Sequence, residues 1–257
     1  PFYYHMFEKA PLDGITVVPA VPGELNRMME EGLLDMSPIS AGAYPAMQDR
    51  ILVLPDFCLS SIGYVRSVVL QSRIPIEELD GARLGLTSAS KTSVVLLKIL
   101  LEKYYQVRPD YRPSPPRPDF SGLDAALVIG NDAMLDAGEP IEYNYDLGDL
   151  WFRKTGHPVV FAVFAARKDA LDRHHADVRR IIRSYNLSLA YIRDYEEEVV
   201  ARAAQKYPDM KIDIGHYYLL LKFHFSPELK KALQFYYDEA ASLGLLKRVH
   251  EIGFAEA

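Results

Sequence analysis

The sequence has a single cysteine, no excess of basic residues and no long hydrophobic run. Cys58 is the only cysteine in 257 residues, which excludes an internal disulfide and a cysteine-rich metal site. The formal net charge is −6 at pH 7, whereas a nucleic-acid-binding surface is typically basic. No stretch reaches the roughly 18 to 20 apolar residues of a membrane span. No leader with a basic segment followed by an apolar run, as in a signal peptide, precedes Pro1. These absences predict a cytoplasmic protein that binds neither nucleic acid nor membrane.

The composition is that of an ordinary globular protein, with 49% hydrophobic residues and a length that suits one large domain or two small ones. The apolar periodicity predicts strands at 15–18, 33–39, 65–71 and 124–130, helices at 24–31 and through most of 169–241, and a loop with a short helix at 74–80. Strands dominate the first part of the chain and helices the last part. This order predicts an α/β fold with a helical closing segment.

The segment 84–101, LGLTSASKTSVVLLKILL, has the pattern of a strand, a turn and the start of a helix. A helix start leaves its first N–H groups unpaired and carries partial positive charge, so it can hold a carboxylate or a phosphate. One hydroxyl is enough to cap a helix, whereas five crowd this turn: Thr87, Ser88, Ser90, Thr92 and Ser93. The pattern favours an anion site at this helix start over a cap alone.

Two predicted strands, at 65–71 and 159–165, bracket the hydroxyl-rich turn, and each runs into a charged or proline-containing turn. We interpret them as two crossing strands that splice a middle lobe into an outer lobe. The predicted outer lobe comprises 1–72 and 165–257, and the predicted inserted lobe is 73–164. Ligands of such bilobed folds lie in the cleft between the lobes, near strand ends and helix starts.

Several polar residues near the predicted cleft each have two interpretations. Ser40 either lines the cleft or caps a helix. Ser67 alternates with apolar neighbours on a strand face, so it is either a functional group or a core serine bonded to a carbonyl. Gly130 ends a buried strand, and Asn131 and Asp132 are placed to cap the helix that follows. These positions join the hydroxyl-rich turn as candidates for ligand contact.

Aromatic and acidic clusters are open to a structural interpretation. Trp151, Phe161 and Phe164 either wall a pocket for a flat ring or belong to the core. The three glutamates at 196–198 are interpreted as an exposed helix face.

The histidines lack the spacing of metal ligands. We interpret His174 and His175 as solvent-facing, and His216 and His224 as packed among aromatic residues. The sequence contains no glycine-rich phosphate loop, no catalytic-triad spacing and no paired-carboxylate motif. An enzyme built from this chain has no obvious general base.

Five long blocks of the sequence, taken in order, closely resemble the chorismate dehydratase family: VPGELNRMMEEGLLDMSPIS, IPIEELDGARLGLTSASKTSVVLLKILLEKY, DAALVIGNDAML, YDLGDLWFRKTGHPVVFAVFAAR and ELKKALQFYYDEAASLGLL. The resemblance covers essentially the whole chain and is far more specific than any short motif. It implies a cytoplasmic lyase with the two-lobed architecture of type II periplasmic binding proteins and without a metal or organic cofactor. It also implies the reaction, which removes water from chorismate to give 3-[(1-carboxyvinyl)oxy]benzoate in the first committed step of the futalosine route to menaquinone.

The resemblance assigns roles to individual residues. The family's catalytic serine falls on Ser67, in the context Gly63, Val65 and Ser67. Its hydroxyl-rich helix start matches Ser88, Ser90, Thr92 and Ser93, and a further helix start in its cleft matches the turn at Gly130. The residues themselves and the resemblance together predict these substrate-binding residues: Ser40, Thr87, Ser88, Ser90, Thr92, Ser93, Gly130, Asn131 and Asp132.

Two positions depart from the family pattern. Phe164 stands where the family usually carries tryptophan. The family also has a catalytic asparagine three positions before a proline that Pro1 matches, so that asparagine is not in this sequence. We therefore expect the chain as given to fold but to be catalytically crippled.

The chemistry that the resemblance implies suits a site without a strong protein base. Chorismate carries two carboxylates, so the cleft must supply oriented N–H and hydroxyl donors. We hypothesise that the enolpyruvyl carboxylate of the substrate takes the proton, with Ser67 and the asparagine orienting it. Two alternatives stay open: a non-catalytic small-anion-binding protein on the same fold, and the related naphthoate synthase of the same pathway. The TSASKTSVVLL block fits the dehydratase better.

Overall fold

Two β-sheets organise the chain in the computed structural model, which describes residues 2–135, 141–210 and 212–256. The strands are β1 (Met36–Ser40), β2 (Ile51–Ser61), β3 (Val68–Ser72), β4 (Arg83–Thr87), β5 (Asp110–Ser114), β6 (Ala125–Ile129), β7 (Tyr143–Asp146), β8 (Val159–Arg167) and β9 (Leu221–His224). The helices are α1 (Pro22–Glu30), α2 (Tyr44–Met47), α3 (Lys91–Ile99), α4 (Asn131–Met134), α5 (Leu147–Thr155), α6 (Lys168–Arg173), α7 (His175–Asp194), α8 (Glu196–Lys206), α9 (Ile214–Leu220) and α10 (Pro227–Ser242). Turns of 3₁₀ or π-helix lie at His5–Lys9, Ala41–Ala43, Ile76–Glu78, Leu100–Tyr105 and Phe120–Gly122.

The first sheet has the strand order β1, β8, β2, β9, and neighbouring strands are antiparallel. The pairing of β2 with β8 is irregular between Val53 and Cys58, where Pro55 has no N–H to give to the ladder. The sequence pattern predicts neither β2 nor β9. Pro55 and Asp56 interrupt the apolar pattern of β2, and β9 has only four residues inside a helical stretch.

The second sheet has the strand order β5, β4, β6, β3, β7. Strand β4 runs parallel to β5 and β6, whereas β3 is antiparallel to β6 and β7. Leu70, Leu84 and Leu127 are fully buried in its centre. Helix α3 follows β4 after one turn and contacts β6 and α10, so the hydroxyl-rich turn lies at the edge of this sheet where parallel strands end.

The second sheet is inserted into the first. The chain leaves the first sheet after Ser61 through an outbound connection, 62–67, and returns to it at Val159 through a return connection, 147–158, that contains α5. This is the two-lobed α/β architecture that the sequence predicts. The exact boundaries of the two lobes stay a prediction. The strand pairing assigns β3 to the second sheet and β8 to the first.

The remaining elements mostly follow the sequence pattern. Helix α1, Pro22–Glu30, overlaps the predicted helix at 24–31. Helices α6 to α10 make up most of the predicted helical stretch, which β9 interrupts. The prediction of a strand at 15–18 is wrong. Val17 and Val18 are 43% and 39% exposed there, and this irregular segment lies in neither sheet.

One apolar core is continuous across both sheets. It includes Val53 and Val163 from the first sheet, Leu70 and Leu127 from the second, and Trp151 from α5. The cleft residues are therefore carried by two sheets that share a packed interior, which holds them in fixed positions.

Candidate functional site

A cavity of about 330 Å³ lies where the two sheets meet, a volume at the lower end of the range for small-molecule sites. Five of the predicted site residues line it: Ser40, Ser67, Ser90, Ser93 and Gly130. They come from the end of β1, the outbound connection, the start of α3 and the turn after β6. The structure thus brings together residues that are far apart in the sequence and that both sheets contribute.

The wall of this cavity is apolar and aromatic. Phe161, Phe164 and Phe223 line it, together with aliphatic residues. Among the described residues of the lining, none has a charged side chain, and the polar side chains are the hydroxyls of serine and tyrosine. Such a cavity can hold a flat ring against its walls. It can offer hydroxyl and N–H donors to an anion.

Ser67 is held at this wall from two sides. Its carbonyl oxygen accepts from the N–H of Gly130 at 2.7 Å, and its Oγ accepts from the Oη of Tyr217 at 3.1 Å. A contact of 3.5 Å from Oγ to the carbonyl oxygen of Val65 is at the limit of a hydrogen bond. Ser67 is 8% exposed, so its hydroxyl faces a largely enclosed space.

Asp146 fixes the outbound connection. Its carboxylate accepts from the N–H groups of Arg66 at 2.6 Å and Val65 at 3.1 Å, and from those of Gly148 at 2.9 Å and Asp149 at 3.1 Å. Arg66 has a φ of 62°, a left-handed conformation that is uncommon outside glycine. Burial raises the pKa of Asp146, although the backbone donors act in the opposite direction. The carboxylate therefore ties the connection that carries Ser67 to the start of α5.

Ser90 and Ser93 form a hydroxyl pair at the start of α3. Ser90 is the N-cap residue, and its Oγ accepts from the N–H of Ser93 at 3.2 Å. The two Oγ atoms are 2.9 Å apart, so one hydroxyl donates to the other. One of the two protons remains available, and both side chains line the cavity. The cap and the candidate anion site are therefore the same pair of residues.

Thr92 lies at the same helix start but turns away from the cavity. It is fully buried, and its Oγ1 donates to the carbonyl oxygen of Phe161 at 2.7 Å and accepts from the N–H of Gly42 at 3.0 Å. A Cβ on Gly42 would lie 3.1 Å from the Cα of Thr92, so the small residue permits this approach. Thr92 joins α3 to the first sheet.

Thr87 and Ser88 are also not brought to the cavity. Thr87 is buried, and its Oγ1 accepts from the N–H of Ala89 at 3.2 Å, which shapes the turn after β4. Ser88 is exposed, and a Cβ on Gly23 would come within 2.6 Å of its carbonyl oxygen. This turn therefore packs closely against the start of α1.

Ser40 lines the cavity and does not cap a helix. Its N–H donates to Oδ1 of Asn26 at 2.8 Å, and its Oγ accepts from Nδ2 of the same amide at 3.0 Å. Asn26, on α1, therefore holds both the N–H and the hydroxyl of Ser40 in place. The Ser40 hydroxyl keeps its proton for a further partner.

Gly130 contributes to the site through its backbone. It is the N-cap residue of α4 with a φ of 64°, which glycine adopts readily. The prediction that Asn131 and Asp132 cap this helix is wrong, because both lie inside it and it has no side-chain cap. Neither lines the cavity, and Asp132 accepts from Nε of Arg117 at 2.7 Å.

The aromatic candidates separate into two groups. Phe161 and Phe164 line the cavity, as one of the two interpretations proposed. Trp151 is fully buried beside Tyr104 and Phe235 and belongs to the core.

The histidines are mostly exposed. His174 and His175 face solvent as predicted, but so do His216 and His224, which were predicted to pack among aromatic residues. Strand β9 carries His224 and alternates its side chains between the two faces. Within the described part of the chain, no group of three or more His, Cys, Asp or Glu side chains is placed to hold a metal ion.

The sequence pattern does not single out three residues that the structure places at the site: Asn26, Asp146 and Tyr217. The DLGD pattern that begins at Asp146 is typical of a helix N-cap and could have identified that residue. The contact from Tyr217 to Ser67 joins residues 150 positions apart, and no local pattern encodes it. Pro1, on which the expectation about the asparagine depends, lies outside the described residues.

A second cavity, of about 480 Å³, is lined by the irregular segment 15–20 and by Tyr3, Met6 and Tyr185, and none of the predicted site residues lines it.

Throughout 2–135, 141–210 and 212–256, none of the helices has the length and apolar character needed to cross a bilayer.

Comparison with known proteins gives a family match along most of the chain. A family model described as menaquinone biosynthesis matches residues 1–242. A chorismate dehydratase from Thermus thermophilus is 36% identical over 175 residues, covering 62% of this chain and 64% of that protein. A 1,4-dihydroxy-6-naphtoate synthase from the same organism is 25% identical over 176 residues, covering 68% of this chain and 63% of that protein. The chain thus spans less than two thirds of the length of either curated relative.

Solved structures share the fold. A protein from Archaeoglobus fulgidus superposes with a TM-score of 0.73 at 21% identity, covering 95% of this chain and 94% of that one. The periplasmic aliphatic sulphonate binding protein from Escherichia coli superposes with a TM-score of 0.58 at 14% identity, covering 93% and 82%. The chain therefore has a periplasmic-binding-protein-like fold, as the sequence analysis predicted.

Proposed function

The chain belongs to the menaquinone biosynthesis family, and from this premise we propose that it removes water from chorismate to give 3-[(1-carboxyvinyl)oxy]benzoate. The observation that carries the proposal is the cavity, where Ser67 lies between aromatic walls among hydroxyl donors and no described lining residue is charged. The similarity to a curated chorismate dehydratase supports the same activity.

The proposed reaction needs little from a protein base. The C–H bond at the ether-bearing ring carbon and the C–O bond of the neighbouring hydroxyl both break. The C–H electron pair becomes a ring double bond, and the hydroxyl leaves with its own pair. The proton is taken by the enolpyruvyl carboxylate of the substrate and passes to the departing hydroxyl, so one water is released. We assign this role to the substrate because no described residue of the lining is an Asp, Glu or His.

In this proposal the protein positions the substrate and stabilises its charges. Ser67 donates to the enolpyruvyl carboxylate and directs it towards the ring proton. Ser90 and Ser93 face the ring carboxylate at the start of α3, where the helix end favours negative charge. The walls formed by Phe161 and Phe164 hold the ring as it becomes aromatic.

We include a cytoplasmic location in the proposal. Cys58 is a free, buried thiol, and burial raises its pKa to about 12. A buried protonated thiol is unreactive, and one unpaired cysteine requires no oxidising compartment. Fractionation of the native cells followed by detection of the protein tests this part of the proposal.

The activity test uses a form of the protein extended before Pro1 so that it carries the asparagine that the resemblance implies, because the chain as given is expected to be catalytically crippled. This extended form serves as the wild type in the activity experiments. It is purified and incubated with chorismate, and the aromatic product is followed by chromatography and absorbance. We expect product from the wild type and a loss on the order of 100-fold in kcat for Ser67→Ala, because one positioned donor is removed. Ser60→Ala is the matched control, since Ser60 is a buried serine whose hydroxyl donates to the carbonyl oxygen of Lys222 outside the cavity.

The possible results separate the candidate functions. Chorismate that binds without conversion would support a non-catalytic anion-binding protein. If chorismate is neither bound nor converted, the next compound to test is the substrate of the naphtoate synthase relative. If Ser67→Ala melts early and keeps its specific activity, Ser67 is only a core serine.

A further inference from the structure

Tyr217 is the side chain that fixes the Ser67 hydroxyl. Its Oη donates to the Ser67 Oγ at 3.1 Å, and both residues line the cavity. The other contact of that Oγ, at 3.5 Å from the carbonyl oxygen of Val65, is too long to define a direction. A serine hydroxyl has one proton and two lone pairs. When Tyr217 occupies one lone pair, the directions open to the serine proton are restricted.

Tyr217 and Ser67 belong to different elements of the fold. Tyr217 lies on α9, whose start is capped by Asp213 through the N–H of His216 at 3.0 Å. Helix α9 runs directly into β9, which pairs with β2 in the first sheet. The C-terminal half of the chain therefore reaches across to the outbound connection at the residue proposed to be catalytic.

The phenol is suited to act as a donor. Burial raises the pKa of Tyr217, and the hydrogen bond to Ser67 opposes this only in part. The phenol is therefore protonated near neutral pH and has a proton to give. Its ring is half-buried and packs against the core, so the hydroxyl has little freedom to turn elsewhere.

We propose that Tyr217 is a positioning residue that orients the Ser67 hydroxyl towards the substrate carboxylate, an inference that rests on the proposed dehydration of chorismate. Tyr217 donates to Ser67, and Ser67 donates its own proton to the carboxylate. These two consecutive hydrogen bonds orient the Ser67 hydroxyl for its bond to the carboxylate.

The test compares Tyr217→Phe with Tyr218→Phe. Tyr218 is the adjacent tyrosine, with its ring centroid 6.0 Å from that of Tyr217, and it is not among the residues that line this cavity. We expect Tyr217→Phe to lower kcat about tenfold with little change in KM for chorismate, because one orienting hydrogen bond is lost. We expect Tyr218→Phe to leave both constants unchanged and both variants to melt close to the wild type.

A double-variant cycle separates positioning from a general structural effect. If Tyr217 acts through Ser67, adding Tyr217→Phe to Ser67→Ala causes no further loss of kcat. A further tenfold loss in that background, or full activity of Tyr217→Phe alone, overturns the inference. A crystal structure of Tyr217→Phe gives a readout besides activity, since the Ser67 Oγ should then turn towards the carbonyl oxygen of Val65.

The controls also distinguish this inference from the proposed function. A wild type that does not convert chorismate overturns both. A wild type that converts chorismate while Tyr217→Phe matches Tyr218→Phe overturns the role of Tyr217 alone.

Discussion

At the start of α3, neighbouring hydroxyls serve different purposes. Ser90 and Ser93 are three residues apart, share a side of the helix and line the cavity. Thr92 lies on another side, where it bonds both Phe161 and Gly42. The same turn therefore supplies ligand donors and fastens the helix to the first sheet.

Thr92→Val should reduce stability and leave ligand affinity nearly unchanged. The substitution keeps the shape of the side chain but leaves the Gly42 N–H and the Phe161 carbonyl without their buried partner. We expect the free energy of unfolding in urea to fall by about 1–3 kcal/mol. Ser93→Ala is the matched control and should weaken binding of 3-[(1-carboxyvinyl)oxy]benzoate at little cost in stability. A Thr92→Val variant of normal stability and poor affinity would contradict this division.

The sequence pattern identified this turn but could not show which of its hydroxyls face the cavity. Five hydroxyls in seven positions predicted a polar helix start, and helical spacing alone pairs Ser90 with Ser93. Which side of the helix faces the cleft depends on β8 and on the turn at Ala41–Ala43, and these pack through long-range contacts. For the same reason, the role of Tyr217 could not be predicted.

Among the elements, the π-helical turn at His5–Lys9 is tied to α7 and α8 through one carboxylate. Glu198 accepts from the Oη atoms of Tyr191 and Tyr4, both at 2.7 Å, and from Nζ of Lys9 at 3.1 Å. The interpretation of 196–198 as an exposed helix face holds for Glu196 and Glu197, and these partners cover Glu198 only in part. The hydrogen bonds from Tyr191, Tyr4 and Lys9 lower the pKa of Glu198 to about 2.

This lowered pKa predicts a pH dependence of stability. The ordinary pKa of the group is 4.5, so its stabilising effect is present above that pH and is lost as pH falls towards 2. Glu198→Gln should therefore have a lower Tm than the wild type at pH 7, and this difference in Tm should narrow as the pH falls from about 4.5 towards 2. High salt should also narrow the gap, because Lys9 and Glu198 are 36% and 39% exposed. Glu197→Gln is the control, and a gap independent of pH would count against this account.

Elements with strong local patterns could be predicted, and those that depend on partners could not. The unit of β4 and α3 follows from an apolar run, a polar turn and helical spacing. Strand β2 escaped prediction because Pro55 interrupts its pattern, although it pairs with both β8 and β9. The segment 15–18 has a strand-like composition but no neighbouring strand, so its propensity was not realised.

At the scale of the whole molecule, the two connections between the sheets are joined to each other. Asp146 accepts from Val65 and Arg66 in the outbound connection and caps α5 in the return connection. A Cβ on Gly148 would lie 2.4 Å from the carbonyl oxygen of Gly63, so only glycine permits this approach. The position of Ser67 therefore depends on how the lobes are connected.

Two substitutions of Asp146 should separate its role as the cap of α5 from its hydrogen bonds to the outbound connection. Asparagine caps a helix about as well as aspartate, but its single acceptor oxygen cannot serve both the start of α5 and the N–H of Arg66. We expect Asp146→Asn to stay close to the wild type in Tm while kcat for chorismate falls about tenfold, since Ser67 is no longer held at its bonding distance.

Asp146→Ala loses the cap as well, so it should also lose about 1–2 kcal/mol of unfolding free energy. Asp149→Asn is the control for a change of charge in the same turn, because Asp149 pairs with Arg153 and does not contact the outbound connection through its carboxylate. Full turnover in Asp146→Asn would mean that the outbound connection holds Ser67 without the carboxylate. The bond from Gly130 to Ser67 would then be sufficient to position the site.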